Sequence, residues 1–167
     1  AAVEQVTAAA RAVNPHAAIV RAASPLRFDD GEALRGRRVL VVEDGPTLTH
    51  GGMPWGAGHV AALRAGAQLV DPRPYAAPGL REAFAAFPHI GPVLPALGYS
   101  PAQVEALRQS IAATPADVVV AATPIDLAAL IEIDKPVVRV RYEFAEMEAP
   151  GLAGIVGDFL AQLQAQP

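Results

Sequence analysis

The sequence predicts an α/β fold: an open, mostly parallel, Rossmann-like sheet of about five strands with helices on both faces. Two observations point there. Short Val/Ile-rich runs alternate with stretches of helical periodicity along the whole chain. Those runs are nearly continuous in apolar character, which is how parallel strands covered on both faces read. A length of 167 residues matches one hydrophobic core, so residues 1–167 are expected to form a single domain.

The chain opens without an initiator Met and already inside a helical pattern, Val3, Val6, Ala10 and Val13. That start is expected of a piece of a longer chain, with residues 1–35 completing an upstream domain and 36–167 forming the Rossmann-like unit. The helix should stop at Asn14-Pro15, because a residue before proline is pushed out of the α region. Strands are then predicted at Ala17–Ala22, Val39–Val42, Gln68–Val70, Val118–Ala122 and Val137–Val140. Helices are predicted at Val60–Ala65, Leu80–Phe87, Ala102–Ala113, Leu127–Ile131 and Leu152–Leu163, with Gln162–Pro167 fraying. Ser100-Pro101-Ala102-Gln103 and Thr123-Pro124-Ile125-Asp126 both read as an N-cap, a proline at the first helical position and a capping-box partner.

Composition limits the function. Thirteen cations against 17 acids give a net charge of −4, which argues against a nucleic-acid surface or a polybasic membrane tether. No apolar run approaches the roughly 20 residues that span a bilayer. Zero Cys excludes disulfides, thiolate catalysis and Cys-ligated zinc. A cytoplasmic domain is the expectation.

Chemistry concentrates after the run Val39–Val42, where Glu43-Asp44-Gly45 leads into a long loop and then a helix near His59. Five glycines between positions 45 and 58 are more than a turn needs. Glycine lets backbone N–H groups approach a ligand, and a helix start adds unpaired donors and a positive dipole end. With Thr47, Thr49 and His50 beside Gly51, Gly52, Gly56 and Gly58, the segment reads as a cradle for phosphate or carboxylate; a glycine-shaped surface loop is the plain alternative. Glu43 and Asp44 at the strand end are candidates to hold Mg²⁺ or orient a nucleophile, and strand geometry allows at most one of them to face the cradle. Asp126 is either a helix cap or a ligand at the carboxyl edge of its strand. Arg139 and Arg141 share one strand face and suit either salt bridges or an anion. Arg73, between prolines, is stiffly presented as a loop anchor or a ligand contact.

Gly56-Ala57-Gly58-His59-Val60-Ala61 matches a dinucleotide fingerprint, with Asp71 in place for a ribose. About a dozen residues separate it from the strand, whereas the fingerprint turns directly from strand to helix. A Walker-type loop is absent, and the only lysine, Lys135, precedes Pro136 without glycines. No side chain identifies itself as catalytic: there is no nucleophile elbow and no His–carboxylate spacing that suggests zinc.

The run from Val39 to Pro54, with Gly56-Ala57-Gly58, resembles the C-terminal region of the cyclic 2,3-diphosphoglycerate synthetase family, which includes relatives labelled GTPases. The segments 70–75, 88–95, 123–127 and 135–142 match as well. The resemblance implies ATP-dependent closure of an intramolecular phosphoanhydride. It also implies an upstream P-loop part that holds ATP (or GTP) and Mg²⁺, neither being held by this chain alone. Ala23 and Ser24 then sit where a nucleotide-base loop is expected. The implied partners are a small anionic substrate and the upstream P-loop region. The alternatives are a non-catalytic docking or dimerisation domain, which would make the protein a homo-oligomer, and a dinucleotide-binding domain.

Overall fold

A computed structural model describes residues 2–98 and 100–165; Ala1, Gln166 and Pro167, which the sequence reading placed at the helical start and in the fraying tail, lie outside them. In chain order the elements are α1 (Ala2–Val13), β1 (Ala22–Ala23), β2 (Leu26–Phe28), β3 (Arg38–Asp44), α2 (Gly45–Thr49), α3 (Ala57–Arg64), β4 (Gln68–Leu69), α4 (Pro78–Ala86), β5 (Leu94–Ala96), α5 (Pro101–Ala113), β6 (Val118–Ala122), α6 (Leu127–Leu130), β7 (Val137–Tyr142), β8 (Ala145–Glu146) and α7 (Leu152–Gln164). They fall into two compact units, Leu26–Tyr142 and the paired termini Ala1–Pro25 with Glu143–Pro167. The boundary expected near residue 35 falls inside the first of these.

Leu26–Tyr142 holds a six-stranded sheet ordered β2-β7-β6-β3-β4, with β5 also on β3. Only the β2–β7 pair is antiparallel. β4 pairs with the first residues of β3 and β5 with its last, while β6 runs along the other edge. The chain therefore leaves β3 to one side and crosses back to β6 on the other. The carboxyl ends of β3 and β6 mark that reversal, the place where open α/β sheets bind ligands.

Both sheet faces are covered, which explains the continuous apolar strands. Along β3, Val39 and Val41 pack with Val118, Val120, Val138 and residues Ala61 and Ala62 of α3. Leu40 and Val42 pack with Val119, Ala121, Leu80 of α4, Leu107 and Ile111 of α5 and Leu127 of α6. Each such Val, Leu or Ile side chain contributes roughly 1.5–3 kcal/mol when fully buried. Ser110 ties two helices together: its hydroxyl donates to the Ala106 carbonyl and accepts the Ala77 amide ahead of α4. The lone lysine, Lys135, donates to the Ile111 and Ala112 carbonyls near the end of α5, an arrangement that satisfies carbonyls a helix leaves unpaired.

Four sequence expectations are corrected. Residues 17–21 join no ladder; only Ala22 does, in the two-stranded β1–β8 ribbon. Its alanines have little side chain to bury. Short strands appear at Leu26–Phe28 and Leu94–Ala96, hidden by Arg27 and Pro95 respectively. The glycine-rich loop begins with a helix, α2, because Asp44 caps it and Pro46 sits in its first turn. Thr123-Pro124 starts no helix: α6 begins at Leu127 with Asp126 as its cap. The Ser100 capping box is present as predicted.

In the unit of paired termini, β1 and β8 form the ribbon, Arg21 pairs with Glu148, and the Glu146 carboxylate accepts the Ala153 amide at the start of α7. α7 continues to Gln164, past the onset of the expected fraying.

Candidate functional site

The glycines of the long loop have an internal anion. Glu43, next after Val42 on β3, points toward the start of α3 and is fully buried. Its Oε1 accepts the Gly56 amide at 3.1 Å and the His59 amide at 2.8 Å; its Oε2 accepts the Gly58 amide at 3.3 Å. The unpaired donors of a helix N-terminus, with the dipole behind them, thus serve this carboxylate. Burial pushes the Glu43 carboxyl above its ordinary pKa range, while the His59, Gly58 and Gly56 amides pull it down. The spacing also explains the glycines. A Cβ at position 56 would lie 2.6 Å from Glu43 Oε2, and one at position 58 would lie 2.6 Å from Ala122 Cβ and 2.9 Å from Val41 Cγ1. Dinucleotide binding loses its geometry here, because a pyrophosphate at this helix start would meet a carboxylate.

The loop between α2 and α3 is held from the far side by residues 89–91. The His89 Nε2 lies 2.8 Å from the Leu48 carbonyl, so it carries the proton and donates. Gly91 donates its amide to the Pro54 carbonyl at 2.8 Å. Trp55 stacks on the His59 ring at 4.8 Å between centroids. Burial lowers the pKa of His59, and its Nδ1 is buried without a hydrogen-bond partner.

A pocket of about 480 Å³ opens at the carboxyl ends of β3, β6 and β7. Its lining includes Glu43, Asp44 and Thr47 from the end of β3 and from α2, Thr123 and Pro124 just after β6, and Arg139, Arg141 and Tyr142 of β7. Its position coincides with the strand-order reversal described above. Each guanidinium is fixed by a carboxylate: Arg139 Nη1 donates to Asp126 Oδ2 at 3.0 Å, and Arg141 grips both Asp29 oxygens at 3.1 and 3.3 Å. Asp126 does double duty, since its Oδ1 accepts the Ala129 amide at the start of α6. Asp44 Oδ2 accepts from the Thr47 amide and hydroxyl. Burial raises the Tyr142 pKa, helped by the charges of Glu43 and Asp44 and opposed by the Ala57 amide.

No family model and no solved structure matches the chain. One curated protein does. Arginine synthetase ArcE of Thermococcus kodakarensis is 45% identical over 158 residues, which cover 94% of this chain and 35% of that protein. The chain spans about a third of the length of the curated relative it matches.

The structure brings only part of the predicted set together. Thr47, Arg139, Arg141, Glu43 and Asp44 line one pocket, with Asp126 behind Arg139. Glu43 and Asp44 both border it, although their side chains engage different elements, α3 and α2. Gly56 and Gly58 face Glu43. Thr49 donates to the Gly45 carbonyl and contacts the His50 ring. Gly51 closes α2 through its amide to Pro46, and Gly52 supplies the positive φ of +64° that follows. Arg73 pairs with Asp71 at 2.6 Å and is not among the pocket's lining residues. Ala23 and Ser24 are exposed in the unit of paired termini. Tyr142, Thr123 and Pro124 were missed as lining residues. Their signal was position alone, at the carboxyl ends of two strands.

Among the described residues no cluster of three or more His, Cys, Asp or Glu side chains could hold a metal ion. At the α3 start the Gly56 and Gly58 amides are both engaged by Glu43. No helix among them is long and apolar enough to cross a membrane.

Proposed function

We propose that this chain is the substrate-side region of an ATP-dependent synthetase, with nucleotide and Mg²⁺ handled by another part of a longer protein. The carrying observation is the pocket at the strand-order reversal, lined by Arg139 and Arg141 of β7 together with Glu43 and Asp44 of β3. Held guanidiniums suit a carboxylate or phosphate, and Asp44 with the Thr47 and Thr123 hydroxyls suits a cationic or hydrogen-bond-donating group. A small molecule carrying both, such as an amino acid, complements the pocket. The relative's name, arginine synthetase, supports that reading. In it the chain's own residues bind and orient the substrate, with Asp44, Thr47 and Thr123 setting which end faces the arginines.

The cyclic 2,3-diphosphoglycerate reading is favoured by the two arginines on one strand. It is weakened by Asp44 in the same pocket, which repels a small molecule carrying only negative charge. Thermal shift and calorimetry on the full-length protein with ATP and Mg²⁺ separate the two. Arginine is expected to bind and raise the unfolding temperature, and Arg139→Met to remove the effect. Stronger binding of 2,3-diphosphoglycerate would establish the phosphorylated substrate instead. Binding of neither, with no ATP turnover, would leave the docking or dimerisation role.

A further inference from the structure

Neither terminal helix has a fully buried residue. In α1, Val3, Val6, Ala10 and Val13 form one stripe, and no residue of the helix is buried. Val6 is 70% exposed and Val13 88%. In α7, Leu152, Val156, Phe159, Leu160 and Leu163 recur at helical spacing, each about half exposed, and again nothing is buried. α7 carries a single charge, Asp158, so its other face is not a solvated charged surface either. A groove of about 400 Å³ lies between α1 and the strand region of this unit, lined by Val3, Val6, Ala10, Ile19, Val20 and Met147. Isolated helices shorter than about 12–15 residues are marginal in water, and helices in proteins are stabilised by burying an apolar face. Stripes of this kind left open mark contact surfaces.

We propose that the α1 and α7 stripes and this groove are the seat of the remainder of the synthetase polypeptide, which packs apolar side chains onto them. This rests on the reading of the chain as one region of a longer enzyme. The occupant is argued from length: 65% of the matched relative lies outside the region shared with this chain. Here a module of two helices and a two-stranded ribbon lacks a core of its own.

The absence of cysteine from this chain allows a direct test in the full-length protein. Val6→Cys on α1, Phe159→Cys on α7 and an exposed control, Glu82→Cys, are each treated with a maleimide, and the labelled peptide is identified by mass spectrometry. Residues 6 and 159 are expected to label at least about tenfold more slowly than residue 82. Hydrogen exchange of the α1 and α7 peptides in the unmodified protein supplies the same reading should a cysteine disturb the fold. Fast labelling and fast exchange in a protein that still couples ATP to synthesis would overturn the docking surface and leave the synthetase reading intact. Protection lost on dilution, together with a falling oligomeric mass, would make the occupant a second copy and overturn the proposal. Protection at every concentration in a protein without ATP-dependent synthesis would keep the surface and remove the enzyme reading.

Discussion

Glu43 and His59 are sixteen residues apart and meet through a 2.8 Å hydrogen bond, the His59 amide donating to Glu43 Oε1. The bond joins the end of β3 to the first turn of α3 across the whole glycine-rich segment. Because the Gly56 and Gly58 amides join the same carboxylate, one side chain organises both the loop and the helix start.

Removing that carboxylate leaves buried donors unpaired. Glu43→Ala is expected to lower stability by about 2–4 kcal/mol, and Glu43→Gln, which keeps one acceptor oxygen, by less. Urea unfolding followed by circular dichroism measures both. Equal midpoints for Glu43→Ala and wild type would show that the loop finds other partners.

Gly58 has no room for a side chain, since a Cβ would sit 2.6 Å from Ala122 Cβ. Gly58→Ala should therefore force α3 off the sheet and cost about 1–3 kcal/mol. The same unfolding measurement tests it, and an unchanged midpoint would mean that α3 shifts freely.

The chain has one tryptophan, and it stacks on His59. Burial holds the imidazole pKa below its ordinary value of 6.5, so the folded protein resists protonation that the unfolded chain accepts. Stability from this source is present above that ordinary value and is lost as the pH falls below it. Trp55 fluorescence should titrate with a midpoint under 6.5, and His59→Gln should abolish the transition. A midpoint at or above 6.5 would contradict the burial argument.

Asp117 is held down to a pKa of about 2, chiefly by hydrogen bonds from the Arg38 side chain and amide. A depressed carboxylate stabilises the fold above its ordinary value of 3.8, and that contribution disappears as the pH falls toward 2. Asp117→Asn should flatten the loss of stability over that acid range, modestly because the pair is exposed. Urea midpoints at a series of acidic pH values would show it.

In the pocket, Asp126→Asn should weaken substrate binding by a few-fold through loss of the Arg139 ion pair, and Arg139→Met by more, about 10–100-fold. Asp126→Asn retains an N-cap side chain, so α6 should persist. Calorimetry with arginine reads the affinities; an unchanged affinity in Arg139→Met would move the binding site elsewhere.

Much of the fold could be read in advance because the strands and helices of a two-sided sheet carry strong apolar signals. The run 118–122 and the ends of α1 and α5 are examples. Short edge strands were not legible, because Arg27 and Pro95 mask segments that only pairing with β7 and β3 defines. At the site, residue types were legible and pairings were not. Glu43 and the glycines were both singled out, but nothing local in the sequence shows that one fills the other. Tyr142 became a pocket residue only through the position of β7 beside β6.

The carboxylate at the start of α3 has a consequence for ligand competition. Tethered thirteen residues from the nearest of its donors, it sits at an effective concentration far above that of any free phosphate in solution. A diffusing anion competes for these amides at a disadvantage. The guanidinium groups of Arg139 and Arg141, by contrast, are paired with carboxylates at the surface, where such pairs hold each other only weakly.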